Sequence, residues 1–496
     1  MEAVNTGIFR DAHCRTGRGA LNGGDGKWVE AGGGVATVRG MLLDFMRIRW
    51  VAAGLALAAA CVGRADQAGA EGLVLLIGDQ HSAYERTAQL VAEVDGILAA
   101  NRKLPVMLLI NGDSMEQGNP VARRSGGAVD FAMMAALAKR LPVVLNLGNH
   151  EAEFYPVAET VARLRAAGVT VIGNARDKQT GMLFAPESTR LKFGAQEAVV
   201  AGFATDNLAT YPASVRASLE LPKPADWARE NLPRLLEGAP VKIVLSHSGV
   251  AADRGILPLL SDGTLLAGAH DHLAFVHREG RTVYVHSGSW NDRLTLAWLR
   301  NEGGGPVWTV EQRMIATDAP TEAGLAALIR EARAKHLTAE DRRSVGRAPG
   351  GKALAPAEAA RWVTEAARVA AEADVALIGN TTFGAGLPAG EVSKAEFDAC
   401  IRFDNTLVVA EVDGVRLLEI LASANPGPET AFARRTGEFL VATTGAVTIK
   451  TGHTYRVVTT DWVAKNVARY LGAGDIGFTP LAGVKLKAVA LKALNP

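Results

Sequence analysis

Asn146-Leu-Gly-Asn-His-Glu-Ala-Glu-Phe154 decides how the rest of this chain is read. It follows an apolar run, Leu141-Pro-Val-Val-Leu145, that predicts a buried strand. Within five residues, Asn149 to Glu153, the chain then spends an Asn, a His and two carboxylates. A strand end opening into a loop is where an α/β fold places its working groups. Asn offers a neutral oxygen to a cation; His offers a ligand nitrogen or a proton near neutral pH. Alone, such a block is more often an ordinary polar loop, so its weight depends on the other segments.

Four other segments repeat the pattern. Leu73-Val-Leu-Leu-Ile77 leads into Gly78-Asp-Gln-His81, and Val106-Met-Leu-Leu-Ile110 into Asn111-Gly-Asp113. Lys242-Ile-Val-Leu245 leads into Ser246-His247, and Thr264-Leu-Leu-Ala267 into Gly268-Ala-His-Asp-His272. Helical stretches, Arg86 to Ala100 and Val129 to Arg140, lie between. Strands alternating with helices predict a layered α/β domain whose strand ends converge on one polar site. Thr282–His286 and Leu294–Trp298 read as antiparallel closing strands, ending the domain near residue 316. A helix from Pro320 to about His336 links it to a second, smaller α/β domain over 338–496.

Composition narrows the chemistry. The 496 residues are 48% hydrophobic and 21% charged, ordinary for a globular chain of more than one domain. A net charge of +1 gives no pull toward a nucleic acid polymer or an anionic membrane. The three cysteines, Cys14, Cys61 and Cys400, build neither a disulfide framework nor a thiolate metal site. A metal must therefore be held by His, Asp, Asn or Glu.

The start of the chain reads as an export signal: Met46-Arg-Ile-Arg49 is basic, Trp50 to Val62 apolar, and Ala68-Gly-Ala70 a small-residue cleavage site. Residues 1–45 do not fit before such a signal and are read as a spurious or disordered extension, so that 1–70 lies outside the mature protein. Cys61 would permit a lipid anchor, but Ala58 stands where a lipobox has Leu, and cleavage is preferred. A periplasmic or extracellular monomer beginning near Glu71, with no membrane span, is the expectation.

Asp79 and His81 are two apart on an extended segment and point the same way. Asp113 follows a glycine and can bridge two cations; His270 and His272 could share one ion or serve one each. Two Asp, one Asn (Asn149) and four His (His81, His247, His270, His272) suffice for two mixed N/O sites, which suits Zn, Mn or Fe. A single buried His is usually a satisfied core residue. Five strand-end blocks holding five of the ten histidines are hard to explain that way.

In this order the blocks resemble those of the calcineurin-like metallophosphoesterases. Cys400-Ile-Arg-Phe-Asp-Asn-Thr-Leu-Val-Val-Ala-Glu-Val-Asp-Gly-Val-Arg-Leu-Leu-Glu419, Ala376-Leu-Ile-Gly-Asn380 and Leu387-Pro-Ala-Gly-Glu-Val392 resemble the C-terminal domain of bacterial periplasmic 5'-nucleotidases. The resemblance implies a layered β-sandwich catalytic domain over 71–316 with flanking helices, a linker helix at 317–337 and a substrate-binding domain over 338–496. It also implies two divalent ions: Asp79, His81, Asp113 and His272 hold the first, and Asp113, Asn149, His247 and His270 the second. A metal-bridging hydroxide would attack phosphorus in line, with His150 assisting the leaving group. The family pairs that His with an Asp three residues on; here the position is Glu153.

The departures concern the substrate. Asn380-Thr-Thr-Phe-Gly-Ala-Gly386 lacks the family's Arg, and the usual Gly-Gly-Asp-Gly-aromatic turn is missing. Phe383, Trp462 and Phe478 are candidates to sandwich a base, although a buried aromatic is more often core. Arg402 could supply the lost anion contact, with a surface salt bridge as the plainer reading. The expected substrate is a small phosphate ester, a nucleoside 5'-monophosphate or related nucleotide. A sugar phosphate, cyclic nucleotide or sulfur ester is the alternative, and a catalytically dead binding protein the non-enzymatic one.

Overall fold

The computed structural model describes residues 69–424, 432–434, 440–472 and 474–495. The basic and apolar segment read as an export signal, residues 46–62 with Cys61, lies outside them. No helix among the described residues is long and apolar enough to cross a membrane.

Two six-stranded sheets form the first part of the chain. The first is ordered Gly305–Met314, Arg293–Glu302, Gly72–Ile77, Val106–Asn111, Val143–Asn146, Thr170–Ile172. Its last four strands run parallel and its first two antiparallel. The second is ordered Ala274–Glu279, Thr282–Ser287, Leu265–Gly268, Val241–His247, Gln196–Ala204, Ser188–Phe193. Thr282–Ser287 thus pairs parallel with Leu265–Gly268 and antiparallel with Ala274–Glu279, in a different sheet from Arg293–Glu302. Of the two expected closing strands, only Arg293–Glu302 pairs in a purely antiparallel way.

Period-two alternation sorts the strand residues. Val74 and Leu76 point into the space between the sheets, with Leu109, Val144, Ile243 and Leu265. Leu73, Leu75 and Ile77 point the other way, against helices such as Thr87–Ala100 and Ala128–Ala138. The second sheet is covered outside by Pro224–Leu235 and Val250–Ile256. The order is helix, sheet, sheet, helix. Ala323–His336, read as a linker, packs Leu325 and Ile329 onto the same core as the first sheet's helices.

One polar pair interrupts the apolar interior at the strand C-termini. Asn146 Nδ2 donates to Asn111 Oδ1 at 3.0 Å and to the Phe203 carbonyl at 2.9 Å. Asn111 Nδ2 donates to the Ser246 and Ala267 carbonyls, both at 2.9 Å. Asn111 and Asn146 belong to the first sheet and the three carbonyls to the second, so the sheets are tied together beneath the loops that follow. Both Nδ2 groups are tolerable there because each finds partners; Asn146 Oδ1 has none.

The last part of the chain holds a five-stranded mixed sheet ordered Leu440–Thr443, Val375–Gly379, Thr454–Thr460, Thr406–Asp413, Thr479–Lys485. Its two faces carry separate cores, one with Ile378, Val409 and Val458, the other with Leu377, Val412 and Val457. The segment after Thr454–Thr460 forms two short helices, Asp461–Lys465 and Val467–Leu471, meeting at Asn466. The two-domain α/β architecture stands as expected.

Candidate metal centre

The five strand-end blocks meet at one end of the sandwich. Three sets of side chains gather there with ligand atoms within 4.8 Å of one another: Asp79, His81 and His272; Asp113, His247 and His270; His81, Glu116 and His150. Glu116 was missed in the sequence; it lies three residues past Asp113, where the block had seemed to end.

The backbone is forced into place. Among the described residues nine non-glycines have positive φ, and Asp79, His81, Ser82, Asp113, His270, His272, Trp290 and Asn291 are eight of them. Left-handed conformations cost of order 1–3 kcal/mol for residues with a Cβ and gather at functional sites. Two glycines make the approach possible. A Cβ on Gly112 would lie 2.7 Å from Gly148 Cα and from His247 Nδ1, and one on Gly148 2.5 Å from Asp113 Oδ1. Glu151 holds the loops: its carboxylate accepts the N–H groups of Gly148 at 2.7 Å, Asp113 at 3.0 Å and Ser114 at 2.8 Å.

The nitrogens and oxygens are aimed at one another. His247 donates Nδ1–H to the Asn111 carbonyl at 2.6 Å, which fixes the ring's orientation and turns Nε2 toward the site, 3.2 Å from Asp113 Oδ2. His81 Nε2 and His272 Nε2 face each other at 2.9 Å. Asn149 donates from Nδ2 to the Thr210 carbonyl at 3.3 Å, and its buried Oδ1 has no hydrogen-bond partner. Asp79 accepts the His270 N–H at 3.0 Å.

Burial and charge set the protonation states. Burial, helped by the His247 charge, holds His270 down to about 3, and burial holds His272 down to about 4. Both are neutral imidazoles, as metal ligation requires. Burial also works against positive charge on His247, but the Asp113 and Asp79 carboxylates outweigh it and raise that ring to about 10. Burial would raise Asp113, yet the facing histidines hold it well below the ordinary range. Two buried Asp side chains, the neutral imidazoles of His270 and His272 and an orphaned amide oxygen form a donor set that fits divalent ions taking nitrogen and oxygen ligands.

His150 lies beside these groups. Its N–H donates to Asp113 Oδ1 at 2.8 Å, its Nδ1 is 2.6 Å from Glu153 Oε1, and its Nε2 is 4.0 Å from Asp113 Oδ2. Glu153 thus reaches the ring that the shorter Asp of the family would orient. Burial opposes charge on this ring, but Asp113, Glu153 and Glu151 raise it to about 9.

The substrate-side candidates do not gather. Phe383 is buried in one face of the five-stranded sheet, while Phe478 packs against the opposite face. Trp462 is half exposed and donates Nε1–H to the Tyr470 hydroxyl at 3.2 Å. The rings therefore form no sandwich in this arrangement. Arg402 corrects the plainer reading of it: it is no surface salt bridge, but pairs with Glu116 beside the metal cluster, its side chain 7% exposed. Trp290, also missed, stacks on His81 at 5.0 Å; nothing in Gly288-Ser-Trp290 foretold it.

Comparison with known families matches the same segments. Residues 72–287 match the calcineurin-like phosphoesterase model, and residues 338–472 the 5'-nucleotidase C-terminal domain model. The chain is a calcineurin-like phosphoesterase with a 5'-nucleotidase C-terminal domain. It is accordingly a metal-dependent phosphoester hydrolase, with His and Asp groups able to bind metal ions.

Solved structures share the fold of this calcineurin-like phosphoesterase. A 5'-nucleotidase precursor from Thermus thermophilus is 18% identical with TM-score 0.54, the match covering 85% of this chain and 96% of that one. The sulfate thiohydrolase SoxB from Thermus thermophilus is 14% identical with TM-score 0.57, covering 86% and 94%. A 5'-nucleotidase from Candida albicans is 11% identical with TM-score 0.53, covering 86% and 98%. No curated protein matches the sequence significantly.

Proposed function

We propose that this chain is an exported phosphohydrolase that uses two divalent ions to hydrolyse small phosphate esters, nucleoside 5'-monophosphates or related nucleotides foremost. Asp79, His81, Asp113 and His272 hold one ion, and Asp113, Asn149, His247 and His270 the other, with Zn, Mn or Fe as the ions. When bound, such ions supply Lewis-acid charge to the phosphoryl oxygens and an activated water-derived nucleophile. The chain's own residues supply orientation and a proton. Asn111 fixes the orientation of the His247 ring, and Glu151 fixes the loop that carries Asn149 and His150. Glu153 accepts from His150 Nδ1, leaving Nε2–H directed at the reacting region, where it donates to the leaving-group oxygen.

The observation that carries this reading is the His150 ring, 2.6 Å from Glu153 and 4.0 Å from Asp113 at the margin of both ligand groups. The nucleotide preference is supported by the 5'-nucleotidase C-terminal domain over 338–472. Export is supported by the basic and apolar pattern of residues 46–70 and by the precursor status of the Thermus thermophilus 5'-nucleotidase.

A second reading keeps the metals and changes the substrate. It is favoured by the placement of Phe383 and Phe478 on opposite sheet faces and by the fold shared with a sulfate thiohydrolase. The test is phosphate release from nucleoside monophosphates, a sugar phosphate, cyclic nucleotides and an aryl phosphate, with Mn²⁺, Zn²⁺ or chelator. Chelator-sensitive release, fastest from nucleoside monophosphates, is expected. Release from the aryl ester alone moves the substrate elsewhere; no release from any of them removes phosphohydrolase activity from the reading.

A further inference from the structure

Arg402 belongs to the second domain in sequence and to the metal centre in space. Its backbone is anchored: the Arg402 N–H donates to the Thr382 carbonyl at 2.9 Å, and Ile401 bridges Phe383. It therefore rides on the turn from which the family's Arg is missing. Its guanidinium lies 5.3 Å over the Trp290 ring and pairs through Nη2 with Glu116 Oε2. That same oxygen is 3.6 Å from His81 Nδ1 and 3.9 Å from His150 Nδ1. One carboxylate oxygen thus sits where an arginine and two imidazoles converge, which is how an anion site is built. Among the described residues, Nε and Nη1 of Arg402 have no hydrogen-bond partner.

We propose that Arg402 determines specificity by gripping the non-bridging oxygens of a phosphate monoester dianion, and that Glu116 occupies the guanidinium until that anion displaces it. The inference rests on the proposed phosphohydrolase reading and names its substrate class as monoesters over diesters. A monoester near neutral pH brings two charges and three equivalent oxygens; a diester brings one charge and two. The Arg fork takes two oxygens at once, and the second charge is what repays the loss of the Glu116 pair. Burial draws the guanidinium down to about 10 against the pull of Asp113 and Asp79, and it stays a cation at working pH.

The test uses the full chain loaded with Mn²⁺ and the variants R402Q, R402K and E116Q. It measures kcat and KM for para-nitrophenyl phosphate and bis-para-nitrophenyl phosphate, inorganic phosphate binding by calorimetry, and melting temperature. In R402Q the monoester KM rises roughly 10- to 100-fold, phosphate binding weakens in parallel and the diester KM changes far less. R402K recovers part of the loss, and carries the test should R402Q not fold. E116Q removes the competing charge and tightens phosphate binding. If R402Q and E116Q shift the melting temperature but leave phosphate binding and the monoester-to-diester ratio at wild-type values, the pair is a structural tie and the inference falls. Should wild type hydrolyse neither ester, the phosphohydrolase reading fails. Calorimetry then decides Arg402 alone: phosphate binding lost in R402Q upholds an anion site, and binding retained removes it.

Discussion

The metal end of the sandwich was read from strand-end blocks and the supposed base pocket of the second domain from scattered aromatics, and they fare differently in space. Asp79, Asp113, Asn149, His247, His270 and His272 each end or follow a strand of one of two stacked sheets, so topology alone collects them. Phe383 and Phe478 stand on opposite faces of a single sheet, and Trp462 lies in a short helix beside it, bonded to Tyr470. A residue at a strand end has its address set by the fold. An aromatic in a loop has an address only once the loop is built.

Mutations can press on that difference. The largest effect is expected at the metal end: Asp113→Asn or His247→Ala lowers kcat by on the order of 10³-fold and reduces bound metal, read by turnover and elemental analysis. His150→Ala costs roughly 10²- to 10⁴-fold in kcat with metal content kept. Glu153→Gln costs less, about 10- to 100-fold, because it acts only by orienting that ring. Equal losses from Glu153→Gln and His150→Ala would mean that the carboxylate takes part in the proton transfer itself.

The second-domain rings are expected to answer in stability instead. Phe383→Ala removes a buried side chain and costs about 3–5 kcal/mol in denaturant unfolding. Trp462→Ala, half exposed, costs about 1 kcal/mol or less. A selective rise in nucleotide KM in the Trp462 variant, with the aryl ester unaffected, would restore a base-stacking role to this ring.

A further effect separates site from scaffold by pH. Burial raises the Asp130 carboxyl to about 7 from 3.8, while Tyr84 donates its hydroxyl to it at 2.6 Å. The folded pKa lies above the unfolded one, so the native state holds the extra proton between them. Stability from this group is complete below about pH 4 and is lost as pH rises through 7, by at most about 4 kcal/mol. Asp130→Asn should flatten that slope in urea unfolding between pH 5 and 8; an unchanged slope would place the titration elsewhere.

The sequence made the sandwich legible because parallel strands buried on both faces read as apolar runs, and polar residues at their ends stand out. The pairing of His150 with Glu153 came from the family resemblance, not from any local pattern. The sequence did not show Glu116, hidden one turn beyond Gly112-Asp113, or Trp290, whose role depends on a left-handed backbone that no local pattern announces. Nor did it place Arg402, since a burial that spans two domains is invisible to periodicity. The misplaced Thr282–Ser287 pairing has the same cause: alternation fixes a strand, while its neighbour is fixed by crossovers.

The Asn111–Asn146 pair has a use beyond tying the sheets. Its amide protons are sequestered beneath the reaction centre and bonded across both layers. In a nitrogen-labelled sample they should be among the last side-chain amides to exchange with deuterium, giving two native reporters of whether the floor of the active site is intact, legible without substrate.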